Sequence, residues 1–130
     1  MVSSHLVNGN KEQWIDDVRR LTDKVEQWCQ DEKWFVERKE KTLDEKRIGV
    51  YSLPELFIRT DQGKLVVDPI GLDIVGGEGR VDIEAFPSMY RFLMIRRDRK
   101  WELYTDSLVK WPKPWNRNTF KEIIKELSKV

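Results

Sequence analysis

The chain is short of the residues that build most reactive centres. It has one cysteine, Cys29, and one histidine, His5. A single cysteine excludes an internal disulfide framework and a multi-cysteine zinc site, and a single histidine excludes a histidine pair or a histidine-rich metal site. Long apolar runs are absent as well. Stretches such as Phe92-Leu93-Met94-Ile95 fall far below the ~20 residues of a membrane span or the ~7–15 of a signal-peptide core. The start Met1-Val2-Ser3-Ser4-His5 has neither the basic nor the apolar block of an export signal, so a cytoplasmic location with a reduced thiol is expected. Seven glycines and five prolines are too few for a collagenous or low-complexity chain. The formal charge of +1 supplies no global pull toward nucleic acid or membrane.

What is present suits one globular domain. The 130 residues are 39% apolar and 36% charged, with 6 Trp, 5 Phe and 3 Tyr to bury. A chain of this length hides roughly two thirds of its unfolded surface on folding and needs no staples. Charge is unevenly placed: residues 1–90 carry 13 Lys+Arg against 18 Asp+Glu, whereas residues 91–130 carry 11 against 5. That asymmetry marks either a basic carboxy-terminal face or a simple alternation of surface elements.

The strongest periodicity lies in residues 11–32. Trp14, Val18, Leu21, Val25 and Trp28 recur at spacings of 4, 3, 4 and 3, with Ile15, Thr22 and Cys29 beside them and charges between. This predicts an amphipathic helix capped by Asn10 with Gln13 as its partner. The stripe spans barely three heptads and includes two Trp knobs, so docking on a sheet suits it better than a two-stranded coiled coil. Residues 1–9 read as a flexible start.

Alternation then changes to a period of two. Residues 33–41 and 48–52 read as strands around a turn at Asp44-Glu45-Lys46, with Pro54 as an edge or a break. Three hairpins follow. Glu55–Thr60 meets Lys64–Asp68 across Asp61-Gln62-Gly63, Leu72–Val75 meets Arg80–Glu84 across Gly76–Gly79, and Met89–Arg97 meets Trp101–Thr105 across Asp98-Arg99-Lys100. Hairpins without intervening helices demand an antiparallel meander. Thr119 with Glu122 reads as a capping box before Phe120, Ile123, Ile124, Leu127 and Val130, a closing helix over 119–129. The expected fold is therefore α+β in a single domain, 1–130. One antiparallel meander of five or six strands fills 33–106, with a long amino-terminal helix on one face. A Pro/Trp connector at 107–117, whose prolines end strand pairing, leads to a short carboxy-terminal helix.

Three constellations carry possible chemistry. Gly76-Gly77-Glu78-Gly79 is followed by a strand rather than by Gly-Lys-Ser/Thr and a helix, so it reads as a turn and not as a phosphate loop. Asp68, Asp82 and Glu84 lie on adjacent predicted strands and could hold Mg²⁺ for phosphodiester cleavage. Phe86, however, stands where a Glu-x-Lys nuclease pattern needs its lysine. The 91–117 region interleaves cations with rings, with Arg97, Lys100, Trp101, Trp111 and Trp115 as candidate binders of nucleic acid or protein. Pro112 and Pro114 lack PxxP spacing. Cys29 has no histidine partner to activate it. No nucleophile elbow, His dyad or dinucleotide fingerprint is present, and no cofactor is implied. The expected function is a non-catalytic protein-interaction or regulatory module, with a protein partner or a second copy of itself as ligand. Nucleic-acid binding through 91–117 and an acid-cluster metal nuclease are the alternatives, and no membrane association is expected.

Overall fold

A computed structural model describes residues 4–105 and 113–127. Helix α1 spans Ser4–Asp31 and is followed by the strands β1 (Phe35–Glu45), β2 (Gly49–Arg59), β3 (Lys64–Gly71), β4 (Arg80–Phe86), β5 (Arg91–Arg97), β6 (Lys100–Thr105) and β7 (Lys113–Pro114). Helix α2, Arg117–Leu127, closes the chain. The strands form one seven-stranded sheet in sequence order, every neighbouring pair antiparallel. The architecture is the expected α+β meander with its two helices. No described helix is long and apolar enough to cross a membrane.

Helix α1 buries the predicted stripe with one change. Trp14, Val18, Leu21, Val25 and Cys29 are buried, and Trp28 is only partly so. Against them lie the inward residues of the sheet: Leu56 and Ile58, Leu65 and Val67, Val81, Ile83 and Ala85, Phe92 and Met94, and Leu103. Each of these side chains larger than alanine contributes about 1.5–3 kcal/mol on full burial. The helix begins at Ser4, so Asn10 lies inside it rather than capping it. It ends in a Schellman motif, with Trp34 N donating to Cys29 O at 2.9 Å and Lys33 N to Gln30 O at 3.0 Å. Lys33 takes the left-handed position, φ 62°, that glycine usually fills.

Helix α2 docks at that end through an aromatic cluster. Phe120 lies 5.6 Å from Trp28 and 5.8 Å from Trp115, centroid to centroid. Its cap is one turn earlier than expected. Asn116 Oδ1 accepts from Thr119 N at 3.0 Å and Thr119 Oγ1 accepts from Asn116 N at 2.9 Å, a reciprocal box that makes Asn116 the N-cap. Val130 and most of the connector, including Trp111 and Pro112, lie outside the described residues. In the described part the prolines do not end strand pairing as expected, because Lys113 and Pro114 form the edge strand β7 opposite Leu103 and Glu102. Proline is tolerated on such an edge.

Two strand assignments change. Of the two roles expected for Pro54 the edge holds and the break does not: β2 pairs with β1 along its whole length, with Pro54 opposite Glu40. The β2–β3 ladder begins only at Leu56, so no second ladder needs the missing amide. Beyond that point β1 and β2 form a two-stranded ribbon, and its inward residues change parity from Leu56 and Ile58 to Tyr51 and Leu53. Ribbons freed from a sheet twist more strongly, which carries Tyr51 to the Trp14 indole, whose Nε1 donates to Tyr51 Oη at 2.9 Å. Second, Leu72–Val75 is loop and not strand, and β4 pairs instead with Lys64–Gly71. The Glu45 carboxylate accepts the amides of Leu72 at 3.0 Å and Asp73 at 2.9 Å and draws the chain out of the ladder.

Gly79 closes this loop at φ +128°, where an added Cβ would stand 2.3 Å from the Trp14 ring. Gly79→Ala is expected to cost about 2–4 kcal/mol through left-handed strain plus overpacking. Chemical denaturation checks this, and an unchanged midpoint would contradict the tight loop–helix contact.

Candidate functional site

The structure separates the basic and aromatic candidates of the 91–117 region. Arg97 and Lys100 face each other across β5 and β6 on the side of the sheet away from α1, with Arg97 Nε 2.7 Å from Glu102 Oε1. Trp101 pairs in register with buried Arg96 on the opposite, inward side, its ring 6.0 Å from Trp14. Trp115 belongs to the α2 cluster, and its indole N–H is buried with no hydrogen-bond partner among the described residues. Trp111 lies outside the described residues. Arg97 and Lys100 therefore share one surface, which the rings of Trp101 and Trp115 do not join.

The acidic candidates do share a face. Asp68 stands opposite Asp82, and Glu84 lies two pairs along the same ladder, opposite Val66. Cations occupy the two aspartates: Lys41 Nζ is 2.5 Å from Asp68, and Arg80 grips Asp82 at 2.6 and 2.8 Å. Neighbouring Glu55 has its carboxyl pushed up by burial and by the charge of Asp68. Among the described residues no group of three or more His, Cys, Asp or Glu is arranged to hold a metal ion.

A polar cleft of about 270 Å³ opens where the first half of α1, the β1–β2 turn, the Leu72–Gly79 loop and the β5–β6 turn meet. Two of its lining residues, Arg96 and Arg99, converge on Asp17 of α1. This buried carboxylate takes Arg96 Nε at 2.9 Å and both Nε and Nη2 of Arg99, at 3.1 and 2.9 Å. The β5–β6 turn presents Arg99 through successive left-handed residues, Asp98 at φ 50° and Arg99 at φ 61°, the geometry of a type I′ hairpin. Arg96 also donates to Glu78 O at 2.7 Å and lies over the Trp14 ring. Nearby, Tyr51 Oη donates to Glu45, and the phenol is pushed up by burial and by that carboxylate. Burial pushes the Asp17 carboxyl up, but the hydrogen bonds and charges of Arg99 and Arg96 outweigh it and hold the group below its usual 3.8. The cleft's charges satisfy one another, so it clamps helix to hairpin rather than presenting a free recognition group.

A second concave surface lies on the side of the sheet that no described element covers and was not anticipated from the sequence. It is a shallow groove of about 460 Å³ over β1–β4. Strand register builds it row by row. Phe35 pairs with Arg59, Arg59 with Lys64, and Lys64 with Phe86, so these four stand in one line across four strands. The next line is Glu37, Phe57, Val66 and Glu84. Phe35 is 62% exposed, although aromatic carbon gains by burial. Lys39 Nζ lies over the Phe57 ring at 5.1 Å. The signal was available in principle, because Arg59 and Lys64 flank the predicted Asp61-Gln62-Gly63 turn. Only the register across β1 and β4, however, shows that two phenyl rings bracket them.

Comparison of the chain with family models, with curated proteins and with solved structures returns no match.

Two outcomes follow from these side chains. Burial pushes the Cys29 thiol up to about 12, helped by Glu26 and Glu32, so a thiol reagent at pH 8 should label the native protein negligibly and the denatured chain fully. Rapid native labelling would contradict the packing of α1. Asp17→Asn should cost about 3 kcal/mol, because it leaves buried Arg96 without a counter-charge. The wild-type contribution is present above the unfolded value of 3.8 and is lost as pH falls through the lower folded value. Urea midpoints measured across the acid range should therefore fall less steeply in the variant, and parallel curves would contradict the clamp.

Proposed function

We propose that the chain is a non-catalytic protein-interaction module whose contact surface is the uncovered sheet face around Phe35, Phe57 and Phe86. The observation that carries this is the groove itself, an exposed aromatic surface that no described element covers, next to the most exposed phenylalanine of the chain. Interfaces are enriched in aromatic residues, and exposed apolar surface rimmed by charge is their usual mark.

Pairing through the open edge has less support. Strand β1 forms that edge and carries Glu37-Arg38-Lys39-Glu40-Lys41, a run of charge of the kind that discourages strand addition. A nucleic-acid surface over 91–117 is also less supported, because Trp101 turns inward while Arg97 and Lys100 face out. A metal nuclease would need Asp68 and Asp82 to exchange Lys41 and Arg80 for a cation.

A photo-reactive phenylalanine analogue at position 35, in cells that express the protein, tests the proposal. A discrete adduct is expected, and it should be lost in Phe57→Ser/Phe86→Ser once thermal melting shows that variant folded. Adducts that persist in the variant, or that form equally from the analogue placed at exposed Val50, would overturn it.

A further inference from the structure

We infer that the groove takes an acidic segment of a partner protein, one carboxylate seated between Arg59 and Lys64 with apolar side chains on Phe35 and Phe86; this rests on the interaction-module reading above. The local electrostatics point to an anion. Arg59 and Lys64 are direct cross-strand partners, a placement that sets like charges against each other. Both are exposed, and neither side chain has a hydrogen bond or ion pair among the described residues. The other cations of this face over β1–β4 do have carboxylates: Lys41 meets Asp68, Arg80 meets Asp82, and Lys39 lies 3.7 Å from Glu37, while Arg91 on neighbouring β5 lies 3.8 Å from Asp82. A carboxylate between Arg59 and Lys64 would remove the repulsion and form charge-assisted hydrogen bonds.

The flanking rings set the length of the segment. Phe35 and Phe86 lie three strand spacings apart, about 14 Å. An extended peptide covers that distance in four residues, at about 3.4 Å each. The fitting pattern is therefore apolar–x–acid–x–apolar, laid across the strands. A single-stranded nucleic acid could also stack on the rings and place a phosphate on the cations. Glu37 and Glu84 in the next row, and Glu55, Asp68 and Asp82 in the row after, oppose a repeating anionic backbone. One or two carboxylates confined to the first row avoid them.

Fluorescence anisotropy of the full chain with labelled peptides of that pattern, x being Gly or Ser, provides the test. Peptides with Asp or Glu at the centre should bind about ten-fold or more tighter than the same peptides with Asn or Gln. Arg59→Glu/Lys64→Glu should reverse the preference toward a central lysine, which mere loss of folding cannot produce. Equal binding of acidic and amide peptides, lost in Phe35→Ser/Phe86→Ser, would overturn the acidic partner and leave the interaction surface standing. Absence of binding by every peptide would overturn the proposed pattern, and the position-35 adduct would then decide separately whether the surface is used. Tighter binding of an oligo-dT probe that depends on Arg59 and Lys64 would overturn the inference in favour of nucleic acid.

Discussion

The stripe Trp14, Val18, Leu21, Val25 and Cys29 lies against one face of the sheet, and the structure depends on that one-sided burial. An antiparallel meander tolerates a single covered face, because its strands can alternate apolar and polar side chains. The 28-residue α1 is about 42 Å long, enough to cross the sheet and anchor both of its ends. At one end Trp14 reaches Tyr51 and Asp17 grips the β5–β6 turn. At the other, Trp28 meets Trp115 and Phe120 of the closing segment. One helix thus sets both the fold and the division into a sealed and an open face.

That division decides where recognition can occur. Buried polar groups on the α1 side are largely consumed by each other, as Asp17, Arg96 and Arg99 illustrate. A satisfied network of this kind stabilises one arrangement and offers little to a ligand. On the open side, Asp68 and Asp82 are likewise neutralised by Lys41 and Arg80. Arg59 and Lys64 are different, being adjacent, exposed and alike in sign. Natural sequences often accept such local conflicts where function requires them.

Much of the fold was legible because its signals are local. The 3-4 spacing around Val18 and Leu21 marks a helix, and Gly63 and the Asp98–Arg99 turn mark hairpins. The errors arose where a distant residue decides a local conformation. Pro54 stays in a strand because β3 leaves that stretch unpaired. Leu72–Val75 leaves the sheet because Glu45 captures its amides from 27 and 28 residues away. Asn116 displaces Thr119 as the cap through a reciprocal bond that either residue could have led. The candidate surface was hidden for the same reason. Phe35 and Phe86 lie far apart in the chain, and only three successive registers bring them into line with Arg59 and Lys64.

The central claim, one face sealed by α1 and the other open, is most directly tested at neighbouring positions of β3. Val66 points to the groove, whereas Val67 is completely buried beneath α1. The rates at which Val66→Cys and Val67→Cys react with a thiol reagent in the native protein should differ widely, with position 66 modified rapidly and position 67 only on unfolding. Comparable rates at the two positions would contradict the account.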